Sequence, residues 1–205
     1  VRTVMHPTLS RCFRTNDRML RYRRLPCNLY SNTMFCPKIK SARGYTMAQI
    51  FATDFGWSRS YPMTRKGEAH EALGLLFARE SVPPKMIVDG AKEMKLGEFA
   101  WKCKEAHCYL RSTEPYCPWS SSTECEIREL KKGAARKLTW SGAPLRLWCF
   151  ALEYESYVRL HTEHDIFQLD GCVPEIVVSG KTADINPFCE FGFWEFSSLL
   201  VTHRS

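Results

Sequence analysis

Two carboxylates stand apart by their setting. Asp89 closes the apolar run Met86-Ile87-Val88 and is followed by Gly90, which puts it at the tip of a buried strand where turn chemistry begins. A carboxylate there is costly unless something positive meets it. Glu124 falls on the first turn of a predicted helix, behind the proline-bracketed loop Thr113-Glu114-Pro115-Tyr116-Cys117-Pro118-Trp119. Thirty-four residues separate the two, enough for one helix, one strand and a loop. Carboxylate oxygens brought together this way hold divalent cations, and a pair of such ions is a phosphoryl-transfer centre.

The elements that must position them can be read along the chain. Residues 29–35 form a first strand, and 44–53 and 57–63 two more, joined at Asp54-Phe55-Gly56 into a meander. Ala69, Ala72, Leu73, Leu76 and Phe77 recur at helical spacing, which predicts an amphipathic helix over 66–80. Pro83-Pro84 then leads into the strand of Asp89. A short helix over 95–106, a strand over 107–112, and helices over 121–138 and 144–161 follow. Leu145, Trp148, Cys149 and Leu152 share one side of the last. This strand-helix-strand order is that of an α/β sheet protein.

On the 121–138 helix, Arg128, Lys131 and Lys132 follow Glu124 by four, seven and eight residues and project from its face. Cations behind a carboxylate suit a DNA end lying across the site, and a solvated basic stripe with Glu-to-Arg support explains the same spacing. Glu126 is the rival carboxylate on this helix. Charge is uneven along the chain: residues 1–43 hold ten Lys/Arg against Asp17 alone, so the net +7 resolves into +9 there and −2 over the rest. Arg11, Arg14, Arg18 and Arg21 would line one face of a helix, a phosphate-contacting arm or equally an unfolded linker.

The 205 residues, 44% of them hydrophobic, suffice for one good core. Ten scattered cysteines without a signal peptide predict reduced thiols, hence a nuclear or cytoplasmic setting. No apolar run is long enough for a membrane span, and Val1 in place of an initiating methionine predicts a piece of a longer product. Cys103, His107 and Cys108, or His161 and His164 with Cys172 and Cys189, match a zinc signature poorly. His70 reads as a surface or boundary residue.

The ordered landmarks Val88-Asp89-Gly90, Pro115-Tyr116-x-Pro118, Glu124, Ile127-Arg128-Glu129-Leu130-Lys131, Leu145-Arg146-Leu147-Trp148, Val173-Pro174-Glu175 and Gly180-x-x-x-Asp184-Ile185 resemble the catalytic core of copia-type retrotransposon integrases, over roughly residues 28–190. The resemblance implies a ribonuclease-H-like α/β fold: a mixed sheet of a three-strand antiparallel meander plus parallel strands, flanked by helices. It divides the chain into a basic arm (1–27), a catalytic core (28–165) and a C-terminal extension (166–205) that begins a small β-rich module. It implies an Asp-Asp-Glu triad holding two Mg²⁺ or Mn²⁺ ions, with Asp89 and Glu124 as metal ligands. The first aspartate position is Asn32 here, and Asp54 is the nearest carboxylate by sequence, though a hairpin tip is the wrong place for it. The loop carries Ser120-Ser121 where Gln-Asn is common, at the family's usual DNA contact. The paired-His, paired-Cys zinc module that such integrases carry ahead of the core has no match here. Expected partners are DNA, as element ends and target duplex, and a second copy of the chain, with neither membrane nor small-molecule substrate. The implied activity is metal-dependent strand transfer, impaired by Asn32, with a non-catalytic nucleic-acid-binding remnant of a decayed element as the alternative.

Overall fold

The computed structural model describes residues 24–36, 39–89, 92–113, 122–164, 166, 169–180, 182, 184–186 and 192–194; the side chains of 92, 93, 122 and 123 are outside that description. Five strands make one mixed sheet in the order β3-β2-β1-β4-β5. β1 (Leu29–Phe35), β2 (Met47–Ala52) and β3 (Ser58–Met63) form the antiparallel meander. β4 (Lys85–Val88) lies parallel to β1, and β5 (Tyr109–Ser112) parallel to β4. The helices are α1 (Ala69–Arg79), α2 (Lys92–Lys95), α3 (Glu98–Glu105), α4 (Ser122–Ser141), α5 (Trp148–His161) and α6 (Pro174–Ser179).

Sheet register decides which residues share a face, and so which chemistry can meet. Leu29, Phe51, Met63, Met86 and Val88 belong to one core cluster, packed with Leu73 and Leu76 of α1 and Phe99 of α3. Met34, Ala48 and Ile50 face the other way and pack with Ile127, Leu130 and Leu138 of α4 and with Cys149 and Leu152 of α5. β2 is buried along nearly its whole length because helices cover both its faces. Leu25, from the segment read as the arm, and Leu169 and Val178, from the segment read as the extension, lie in the first cluster.

The predicted helix over 66–80 is a 3₁₀ turn (Lys66–Glu68) running into α1, with Ala69, Ala72, Leu73 and Leu76 buried as their spacing requires. The expected 95–106 helix is α3, starting after Gly97 (φ +82°), and a separate short helix, α2, precedes it and ends at Lys95. Leu145 departs from its expected side: residues Leu145–Leu147 form a 3₁₀ turn after Pro144, and the tighter winding turns Leu145 out to 59% exposure. Trp148, Cys149 and Leu152 are buried against α4 and the sheet, so core packing accounts for them.

α4 and α5 are tied by groups that patterning would not place inside. Glu126 is buried and accepts two hydrogen bonds from Arg159, at 3.0 Å each. Glu155, also buried, pairs with Lys137 and lies over Gly133, where an added Cβ would overlap its carboxylate carbon. In an exposed helix Gly→Ala stabilises by about 1 kcal/mol; here Gly133→Ala should instead destabilise by about 1–3 kcal/mol, the scale of overpacking. Urea unfolding checks the sign.

Candidate functional site

β1 and β4 run in parallel with Tyr30 beside Ile87 and Ser31 beside Val88. One step further along the same register sets Asn32 beside Asp89, on the face that carries α4. The sequence creates this arrangement simply: Met86 and Val88 point into the opposite cluster, so alternation turns Ile87 and Asp89 towards α4. α4 packs on β1 and brings Glu124 to the same place. Asn32, Asp89 and Glu124 line one small cleft of about 50 Å³, together with Tyr30, Ile87 and Thr113. A second opening on the other side shares Asn32 and Asp89 and adds Lys66 and Phe35.

The polar neighbours of the cleft are firmly held. Gln49, fully buried, donates to Ser31 Oγ at 2.7 Å and accepts from Thr33 Oγ1 at 2.9 Å, locking β1 on either side of Asn32. Asn32 Oδ1 accepts from the backbone N–H of Thr33 at 2.7 Å. The amide oxygen is thus partly spent on its own chain. Thr113 N–H donates to Val88 O at 2.8 Å and fixes the strand end that precedes Asp89. Burial, with Asp54 as a lesser cause, raises the Tyr30 phenol above its ordinary range and keeps it a neutral donor.

Other predicted residues are placed as follows. Arg128, Lys131 and Lys132 are exposed on α4 after Glu124, itself exposed. Lys132 pairs with Glu129 at 2.9 Å, with Arg128 3.9 Å from the same carboxylate, and these cations lower the Glu129 pKa. Arg128 also donates to Cys125 Sγ at 2.8 Å. Lys131 makes no ion pair among the described residues and lies along an apolar groove with Met34, Cys36 and Trp148. Glu126, the rival carboxylate, faces away into its pair with Arg159 and does not line the cleft. Asp54 is exposed at the β2–β3 turn, four residues beyond Ile50, the partner of Asn32, or ~13 Å along the strand direction. Ser120, Ser121, Arg18 and Arg21 lie outside the described residues, as does Cys189.

Of the histidines and cysteines weighed for zinc, Cys103, Cys108, His161 and His164 make hydrogen bonds within the fold, and Cys172 is exposed. Cys103 and Cys108 are buried and hydrogen-bonded to each other, which with burial raises the Cys103 thiol. His107 is exposed in a left-handed turn. His164 bonds Arg159 O at 2.9 Å and lies against Gly56, and His161 bonds Tyr157 O at 2.7 Å. His70 joins α1 to α3 through Glu98 at 2.7 Å.

Asp89 and Glu124 are hard oxygen donors of the kind Mg²⁺ and Mn²⁺ select. Asn32 adds no charge, and among the described residues no group of three His, Cys, Asp or Glu side chains converges. This donor set fits one divalent ion weakly and two ions poorly, because two close dications need anionic ligands to offset their repulsion. Tyr30, Thr113 and Lys66 escaped sequence reading. Tyr30 had a signal, since strand alternation puts it on the face of Asn32; Lys66 reaches the site only through the fold.

No family model matches the chain, and no curated protein matches it. Solved structures do. The catalytic core domain of BIV integrase superposes with TM-score 0.57 at 15% identity, over 73% of this chain and 91% of that one. The HTLV-2 integrase catalytic core domain in complex with magnesium gives 0.58 at 10% identity, over 74% and 95%. A chain of the simian T-cell lymphotropic virus intasome in complex with the PP2A regulatory subunit B56 gamma gives 0.59 at 16%, over 74% of this chain and 53% of that one. The protein therefore has the ribonuclease-H-like fold of retroviral integrase catalytic cores, with the sheet order that fold requires. No described helix is long and apolar enough to cross a membrane.

Proposed function

We propose that this chain is an integrase-type core of copia-type retrotransposon descent that binds DNA across the Asn32/Asp89/Glu124 cleft and along α4. Its strand-transfer chemistry is impaired because Asn32 stands at the first acidic position. The carrying observation is the convergence of these three positions, far apart in sequence, on one cleft beside the middle of β1 and the end of β4. When bound in a complete site, two divalent cations polarise the scissile phosphate and lower the pKa of the attacking water or 3′ hydroxyl. The donors present here do not complete such a site, so what this chain's own residues supply is binding and orientation. Arg128, Lys131 and Lys132 take the phosphates, and Ser120, Ser121, Arg18 and Arg21, outside the described residues, are further DNA contacts by their residue types in the sequence. Tyr30 and Thr113 frame the scissile position. DNA ends and a target duplex are the partners, a second copy completes the assembly, and the setting is nuclear or cytoplasmic.

The non-catalytic reading, a nucleic-acid-binding remnant, is favoured by the Asn32 Oδ1 bond to Thr33 N–H, which leaves the amide oxygen less available as a ligand. Both readings require DNA binding, and titration over a salt series tests it. Affinity for duplex DNA should fall steeply with salt. Arg128→Ala, Lys131→Ala and Lys132→Ala should each flatten the log–log slope by up to ~0.9 for every phosphate the parent side chain neutralises. A salt-independent signal, or variants indistinguishable from the parent, would remove α4 from the DNA track.

A further inference from the structure

A larger opening, of about 190 Å³, wraps the outer edge of β3 and shares no lining residue with the cleft. Four elements meet there: the loop carrying Arg43, β3 with Arg59 and Ser60, the end of α1 with Arg79 and Glu80, and α5 with Glu153 and Ser156. Arg59 is its fixed centre, held by Glu80 at 2.6 Å and Glu175 at 3.6 Å, with its guanidinium 4.7 Å from the Tyr157 ring centroid. Even so, Arg59 Nη1 is buried with no hydrogen-bond partner, and the buried hydroxyls of Ser60 and Ser156 share that condition. Three orphaned polar atoms around one opening are unusual, because buried polar groups ordinarily find partners.

Arg59 is committed to Glu80 and Glu175, and Arg43 and Arg79 face Glu153 with no ion pair of their own among the described residues. The Arg43 guanidinium lies 4.2 Å from the Phe150 ring centroid, which orients its fork. Burial pushes the Glu153 carboxyl up, against the pull of Arg43 and Arg79. Arginine forks from separate elements match an oxyanion with several acceptor oxygens. A 150 Å³ cavity is known to take benzene, so about 190 Å³ admits ~6–10 heavy atoms, a phosphate or pyrophosphate rather than a nucleotide.

We propose that this opening binds a small phosphate-type oxyanion, gripped by Arg43 and Arg79 and floored by the unpartnered donors of Arg59 and Ser156. The assignment stands apart from the DNA reading, since it uses none of the cleft or α4 residues. Pyrophosphate is the probe, added to the full chain at constant ionic strength without divalent ions. At about ten times its Kd it should raise the unfolding midpoint by ~3–6 °C. Arg43→Ala and Arg79→Ala, both at exposed positions, should each weaken binding ~10-fold or more, the scale of a lost charge-assisted hydrogen bond. Glu153→Gln should tighten it. The proposal fails if acetate or chloride gives the same shift, if the arginine variants keep the parent's shift, or if Glu153→Gln weakens binding. It fails equally if Arg43→Ala and Arg79→Ala lower duplex-DNA affinity while pyrophosphate has no effect, because the opening is then part of the nucleic-acid track.

Discussion

Asn32→Asp is expected to increase Mn²⁺-dependent strand transfer on a labelled DNA end by on the order of 10²–10³-fold, since an anionic ligand at a two-metal centre is worth several kcal/mol of transition-state stabilisation. The substitution is nearly isosteric. Position 32 lies next to Asp89 by register, lines the same cleft as Glu124, and is held on both sides by the Gln49 bonds to Ser31 and Thr33. The aspartate can still accept from Thr33 N–H with one oxygen and offer the other to a cation. Adding Glu124→Gln to Asn32→Asp should return the rate to background. Strong activity in the unmodified chain that Glu124→Gln abolishes would show that the amide is tolerated and that the chain is not impaired.

The second large effect separates the two carboxylates of α4. Glu126→Gln should destabilise the fold by about 3–5 kcal/mol, because it breaks a buried, doubly hydrogen-bonded pair and leaves Arg159 uncompensated. Glu124→Gln should change stability by no more than ~0.5 kcal/mol, as exposed positions outside such networks do. Guanidinium unfolding of the two variants side by side decides it. Equal effects would mean that Glu126 and Glu124 are not the structural and site carboxylates respectively.

Much of this molecule is legible in its sequence because its signals are local. The strand read over residues 29–35 coincides with β1, and the apolar spacing from Ala69 to Leu76 is the buried face of α1. Asp89 at the strand end and Glu124 on the first turn of α4 can be singled out for the same reason. What stays hidden depends on partners distant in the chain. Glu126 looks like an alternative to Glu124 because its match, Arg159, is thirty-three residues away on α5. Gly133 in mid-helix is accounted for by Glu155, which lies over it from α5. The Val173-Pro174-Glu175 landmark proves structural too, with Glu175 accepting from the Trp57 indole at 3.1 Å. Leu145 leaves its expected face because the α-helical periodicity of α5 does not extend back into the 3₁₀ turn that follows Pro144.

The central claim is that Asn32, Asp89 and Glu124 form a divalent-cation site lacking one charge. Direct titration of Mn²⁺ into the chain, into Asn32→Asp and into Asn32→Asp with Glu124→Gln tests it without any need for catalysis. Affinity should be at least ~10-fold higher in Asn32→Asp than in the unmodified chain, given that changes in the outer shell alone move metal affinity 10–100-fold. The double variant should lose that gain. Equal Mn²⁺ affinity in all three would contradict the account and leave the cleft with no claim to metal.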